Sequence, residues 1–278
     1  MENNNPITQF YFDYEGMATA PCILHGKSSV VVENSGRVVS LDQSECFVRS
    51  CVVVAESLSF VVASEDSTVL HDGMTNVLLR DRSCGRSYGN ARCLASDKSV
   101  VTASDYSAVF LADSAGGYSR VYSHVVHNSL GLMVALEDST VMLSCLPDDG
   151  QHPLRLCLHD RSTACIHPSK GCRTILPDEL HVNDYDIYRF FIGRTDGHKS
   201  FGYRELDFNR FAKEGYKFED RQYAVVVPSY VLGQEPDTDV AIKKVDAIAR
   251  EIDLRTSILV EGLTKVIANN KLIQSVRE

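Results

Sequence analysis

Two short runs carry the residue types of a metal site. Cys157-Leu-His159 and Cys165-Ile-His167 each place a thiol and an imidazole two residues apart, and Cys172 follows closely. Thiolate and neutral imidazole are the usual ligands of a structural zinc ion. Cys157, His159, Cys165, His167 and Cys172 are therefore the candidate ligands, and without zinc the sequence implies no cofactor. Against convergence stands the alternation around them. Leu156, Leu158, Ala164 and Ile166 take the apolar positions, which turns the thiols and imidazoles outward on separate strands. A second group is Asp97, Asp105 and Asp113, spaced eight residues apart. In a groove such carboxylates would flank a glycosidic bond; along an edge they would attract a basic surface. Arg80, Arg82, Arg86 and Arg92 concentrate positive charge in the acidic first half, as a small anion site or as surface ion pairs. His181, Asp184, Asp186, Asp196 and His198 form a further concentration of acid and histidine, at apparent strand ends and a turn. No phosphate-binding glycine loop, Gly-x-Ser-x-Gly elbow, His-Glu-x-x-His pair or dinucleotide fingerprint occurs. No residue is assigned a catalytic role.

The elements that position these residues follow from a short period. Between Ser28 and Leu143 the chain divides into eight-residue units, clearest in Ser99-Val-Val-Thr-Ala-Ser-Asp-Tyr106 and Ser107-Ala-Val-Phe-Leu-Ala-Asp-Ser114. Third and fifth positions are apolar or small, and side chains two residues apart share one face of a strand. Positions seven, eight and one supply the corner. A unit this short cannot bury its own apolar face and must stack on its neighbours, which is a β-solenoid. In alternate units the fifth positions read Ala55, His71, Ser87, Ala103 and then Ala63, Leu79, Ala95, Leu111. One series is smaller, which predicts a sixteen-residue coil with two unequal walls. His71 and His127 should point inward on opposite walls. Gly85 and Gly117 at third positions suggest bends, a groove or the close approach of another chain.

The expected fold is mainly β, with an N-terminal parallel β-solenoid, a small α+β region and a long C-terminal helix. The boundaries are a cap over residues 1–27, which contains Phe10-Tyr-Phe-Asp-Tyr14, the solenoid over 28–175, the α+β region over 176–236 and the helix over 237–278. Val245, Ile252, Leu259, Val266 and Ile273 recur every seven residues along that helix. Such a stripe packs on a partner, either a second copy, giving a homo-oligomer, or the preceding domain. Gly262 and Asn269-Asn270 predict a kink or a break.

Composition narrows the classes. The net charge of −9 lies wholly in residues 1–150, with 9 Lys plus Arg against 18 Asp plus Glu, while residues 151–278 hold 19 of each. Acid in the repeats argues against nucleic-acid binding and for a protein partner with a basic surface. No run of eighteen apolar residues occurs, so no membrane helix is expected. The start Met1-Glu-Asn-Asn-Asn-Pro6 has no signal-peptide character, so the expected location is cytoplasmic. An odd count of 9 cysteines fits reduced thiols. The units Ala95-Ser-Asp-Lys-Ser-Val100, Ala103-Ser-Asp-Tyr-Ser-Ala108 and Ala63-Ser-Glu-Asp-Ser-Thr68 resemble the octapeptide repeats of β-solenoid proteins from bacteria and their phages. The resemblance covers roughly the first half of the chain. It implies a rigid scaffold and, for a phage or pathogen protein, one that binds and inhibits a factor in the host cytoplasm. The expected function is thus a non-enzymatic protein-binding scaffold with an acidic solenoid surface. The alternatives are a glycan-active enzyme or carbohydrate-binding appendage, and a structural component of a particle.

Overall fold

The computed structural model of the chain describes residues 8–10, 15–19, 21–33, 36–144, 155–168, 174–184, 187–195, 200–233 and 238–269. Most of the aromatic run assigned to the cap, the loop 147–153, Cys172, Asp186, Asp196, His198 and Ile273 lie outside the described residues. The protein is mainly β, with an N-terminal parallel solenoid of about eight coils, a small α+β region and a C-terminal helix. It divides into two compact units, residues 1–116 with 259–278, and residues 117–258.

In the first unit most strands pair in parallel with the strand sixteen residues on, while the first coil is two residues shorter, Thr8 partnering Cys22 and Glu15 partnering Ser29. Asn76 partners Arg92 and Val77 partners Cys93 on one sheet, while Cys84 partners Val100 and Gly85 partners Val101 on the other. The inward residues Val61, Val77, Cys93 and Val109 form one wall, and Val53, Val69 and Val101 the other, all essentially without exposure. Between Arg37 and Val52, and between Glu45 and Phe60, the offset is fifteen residues. The missing residue falls at the corner around Ser50, where a deletion leaves the inward and outward faces of the strands unchanged.

Side-chain chemistry closes the corners. Ser67, Ser83 and Ser99 each donate both N–H and Oγ–H to the carbonyl three residues back, the Oγ bonds measuring 2.7 Å. Each corner also needs a residue at positive φ, supplied at one edge by Glu65, Asp81, Asp97 and Asp113 (φ 55 to 59°). Aspartate tolerates this left-handed geometry better than most L residues because its short polar side chain bonds locally. Gly85 corrects the expectation of a bend or an approaching chain. A Cβ there would lie 2.6 Å from Leu79 Cδ1, so the glycine leaves room for the larger residue of the facing wall.

The two sheets differ in what lies outside them. On one, Phe47, Phe60, Val62 and Leu78 point outward yet are buried, packed with Val266 and Ile267 of the C-terminal helix. Burying four such side chains contributes on the order of 1.5–3 kcal/mol each. This helix, α3, runs unbroken over Thr238–Asn269. Gly262 is not a break. A Cβ at that position would lie 2.7 Å from Arg92 Nη1, so the glycine seats the arginine against the helix.

In the second unit the parallel register continues as His124 with Thr140 and Thr140 with Thr163. The direction then reverses. Gln222–Pro228 pairs antiparallel with Thr163–His167, and Tyr188–Thr195 and Ser200–Leu206 follow in order. This covers the open edge of the last parallel strand, a site that would otherwise template pairing with another chain. A short helix, α1 (Phe208–Glu214), is capped by Asp207, whose side chain accepts the Asn209 N–H at 2.9 Å, and packs Phe208 and Phe211 on Phe190; a single turn, α2 (Ser229–Leu232), follows the strand Gln222–Pro228. The seven-residue stripe of α3 is taken up by this chain itself. Val245, Ile252 and Leu259 are at most 1% exposed, and Val266 is partly buried against the aromatic cluster. Among the described residues no helix is long and apolar enough to cross a membrane.

Candidate functional site

The acids of the repeat form columns. Asp97 and Asp113 share one edge of the first unit with Glu65 and Asp81, while Asp105, half a coil away, belongs to the opposite edge. Along the shared edge Asp81, Asp97 and Asp113 each accept a backbone N–H from the coil before, while the Glu65 carboxylate accepts the Ser50 hydroxyl at 2.7 Å. Glu65 donates to Asp81 at 3.0 Å, Asp81 to Asp97 at 3.1 Å and Asp97 to Asp113 at 3.3 Å. Asp105 accepts the Gly89 N–H at 3.5 Å in the same manner. The ladder explains why acids recur at this position, since an unpaired corner N–H would lose a hydrogen bond at every coil. It still leaves carboxylate oxygens facing solvent, in a shallow groove of about 870 Å³ that also contains Arg82 and Lys98.

The four arginines do not converge. Arg80 and Arg82 lie at that acidic edge, where Arg82 grips Asp66 through two bonds of 2.8 Å. Arg86 stands on the outside of one sheet and Arg92 on the outside of the other, beside α3. Across the coil from the acidic edge, the facing column holds Leu58, Met74 and Tyr106, between 48 and 63% exposed.

The proposed zinc ligands separate as well. Cys157 belongs to Arg155–Leu158 and Cys165 to Thr163–His167, strands of different sheets, and His159 follows the first of these at a corner. Cys165 and His167 do come together, and their third neighbour is Asp253 of α3. His167 Nε2 lies 3.3 Å from Cys165 Sγ and 3.7 Å from Asp253 Oδ1. The three donor atoms are all within 4.8 Å of one another, the one such group among the described residues able to hold a metal ion. Cys165 is fully buried, whereas His167 and Asp253 reach solvent.

Around this trio runs a polar seam between α3 and the sheet. The Tyr223 ring stacks on His167 at 4.9 Å, the hydroxyls of Tyr203 and Tyr223 are bonded, and Tyr203 also donates to Asp246 at 3.3 Å. Gly193 lies beneath the two tyrosines, where a Cβ would come within 2.7 Å of one ring and 2.9 Å of the other. Farther along, His124 bonds Thr140 at 2.9 Å and Thr256 at 3.0 Å, and Arg255 donates to Thr140 and to the Tyr122 carbonyl. Burial pushes the Cys165 thiol well up and the Asp253 carboxyl up, and pulls His167 down, so desolvation favours the neutral form of each group.

This is not a nucleophile with its base. A thiol raised by burial is unactivated, and the same imidazole nitrogen faces both sulfur and carboxylate, whereas a relay uses opposite nitrogens. The residues missed from sequence, Asp246 and Asp253, do carry a signal. They are seven apart, each directly after a stripe residue, Val245 or Ile252.

No family model, no curated protein and no solved structure matches the chain.

Proposed function

We propose that the chain is a non-enzymatic protein-binding scaffold that meets its partner with the uncovered sheet of the first unit and the edges beside it. The observation that carries this is the asymmetry of the two sheets. α3 buries the outward side chains of one, while on the other Val52 and Val100 stand 44 and 43% exposed among Thr68, Cys84 and Arg86. Val52 and Val100 stand at the two ends of one outward column with Thr68 and Cys84 between them, and an uncovered sheet face with apolar side chains among polar ones is a surface suited to contact. Leu58, Met74 and Tyr106 extend it along one edge, and Glu65, Asp81, Asp97 and Asp113 border the other. The fitting partner is a protein with an apolar patch flanked by basic side chains, steered by charge and held by apolar burial.

Two variants test this in quantitative pulldowns. Val52→Lys with Val100→Lys spoils the apolar face. Asp81→Asn with Asp97→Asn and Asp113→Asn removes three charges while keeping an acceptor at each corner. A partner captured stoichiometrically by the native chain should be lost with the first variant, and with the second its binding should weaken and depend less on salt. Identical capture by all three proteins would overturn the assignment.

A further inference from the structure

We propose that Cys165, His167 and Asp253 form a binding site for a divalent transition-metal ion of the zinc type, with a fourth position open to solvent. Thiolate, imidazole and carboxylate are each common zinc ligands, and bonds of about 2.0–2.3 Å in a tetrahedral shell put donor atoms roughly 3.3–3.6 Å apart. The sulfur-to-nitrogen and nitrogen-to-oxygen separations of 3.3 and 3.7 Å already lie close to that range. The third separation, sulfur to carboxylate, is within 4.8 Å, so a movement of up to about an ångström by the half-exposed Asp253 side chain would complete the shell. A sulfur donor disfavours magnesium and calcium, which take oxygen ligands.

The surroundings fit a metal. The Tyr223 ring fixes the plane of His167 by stacking, so the nitrogen facing the cluster is held in place. Cys165 is enclosed while His167 and Asp253 are partly exposed, which gives an ion an entry path and a solvent-facing side. Loading would convert the thiol to thiolate with release of a proton, leaving sulfur, nitrogen and oxygen bonded to one ion. Because Asp253 belongs to α3 and the other two ligands to the strand Thr163–His167, the ion would pin helix to sheet. It would close a loop of some eighty residues with a single clip.

The test uses the full chain, stripped with a chelator and titrated with cobalt(II) and zinc(II). Cobalt should give the intense visible bands of four-coordination with a near-ultraviolet thiolate-to-cobalt band, and zinc should displace it and raise the melting temperature. Cys165→Ser should abolish the thiolate band. Asp253→Asn, at a half-exposed helix position where folding is not at stake, should weaken zinc binding by at least the roughly 10–100-fold that loss of an outer-shell partner costs. Cys157→Ser should change neither. Absence of cobalt binding by the native chain, a thiolate band that survives Cys165→Ser, or unchanged affinity in Asp253→Asn would overturn the site.

Discussion

At the corner acids, backbone geometry and charge can be told apart by substitution. Asp97 sits at φ 57°, accepts the Asp81 N–H and passes its own N–H to Asp113. Alanine keeps its own N–H to Asp113 but loses the acceptor for the Asp81 N–H, and an L residue without a local bond pays roughly 1–2 kcal/mol in that region of the backbone map. Asp97→Ala should therefore lower stability by about 1–2 kcal/mol, whereas Asp97→Asn, which tolerates the same φ and keeps an acceptor, should stay within about 0.5 kcal/mol of the native chain. Urea denaturation of both variants measures the difference. If the alanine and asparagine variants are equally stable, the acid is present for its charge alone.

Among the elements, the two walls of the solenoid are fitted to each other. Gly85 is empty because Leu79 is large, so Gly85→Ala should cost about 1–3 kcal/mol through overpacking. Leu79→Val in the same chain should recover part of that loss, and a double-mutant cycle with no coupling would show that the two positions do not share the space. The unequal fifth positions already contain this complementarity, since Leu79 and Leu111 fall in one series and Ser87 and Ala103 in the other. The parallel solenoid, the α+β region and the helix were legible for the same reason, because strand and helix periods are local properties of the chain. What the stripe on α3 packs against was not. A period of seven specifies a partner surface without saying whose, and here the outward Phe47, Phe60 and Leu78 supply one from about two hundred residues earlier. Cys165 and His167 were legible as donors by residue type, but their third member was hidden by the same distance in sequence.

For the molecule as a whole, buried histidines set the response to acid. Burial pulls His71 and His124 down to about 3 and His127 down to about 4, against about 6.5 in an unfolded chain. Above about pH 6.5 the folded and unfolded imidazoles are both neutral and contribute no pH dependence. Below it the unfolded chain takes up protons that the folded one refuses, so stability falls as the pH drops and levels off only near the folded values. Each histidine contributes a slope of about 1.4 kcal/mol per pH unit once its unfolded form is protonated. Denaturation midpoints measured between pH 7 and 5, before most carboxylates titrate, should decline accordingly; a flat profile would mean that these imidazoles accept protons in place. The way α3 crosses its sheet has a different kind of consequence. Within the second unit Thr256 meets the strand of His124, Asp253 meets that of Cys165, and Asp246 meets that of Tyr203. The ten helical residues from Asp246 to Thr256 advance about 15 Å, whereas the strands they meet, from that of His124 to that of Tyr203, lie five steps apart in the sheet, about 24 Å at roughly 4.8 Å a step. The helix is thus shorter than the width it roofs, and the reach of the polar side chains at its two ends lets one helix hold more strands than its own length would cover.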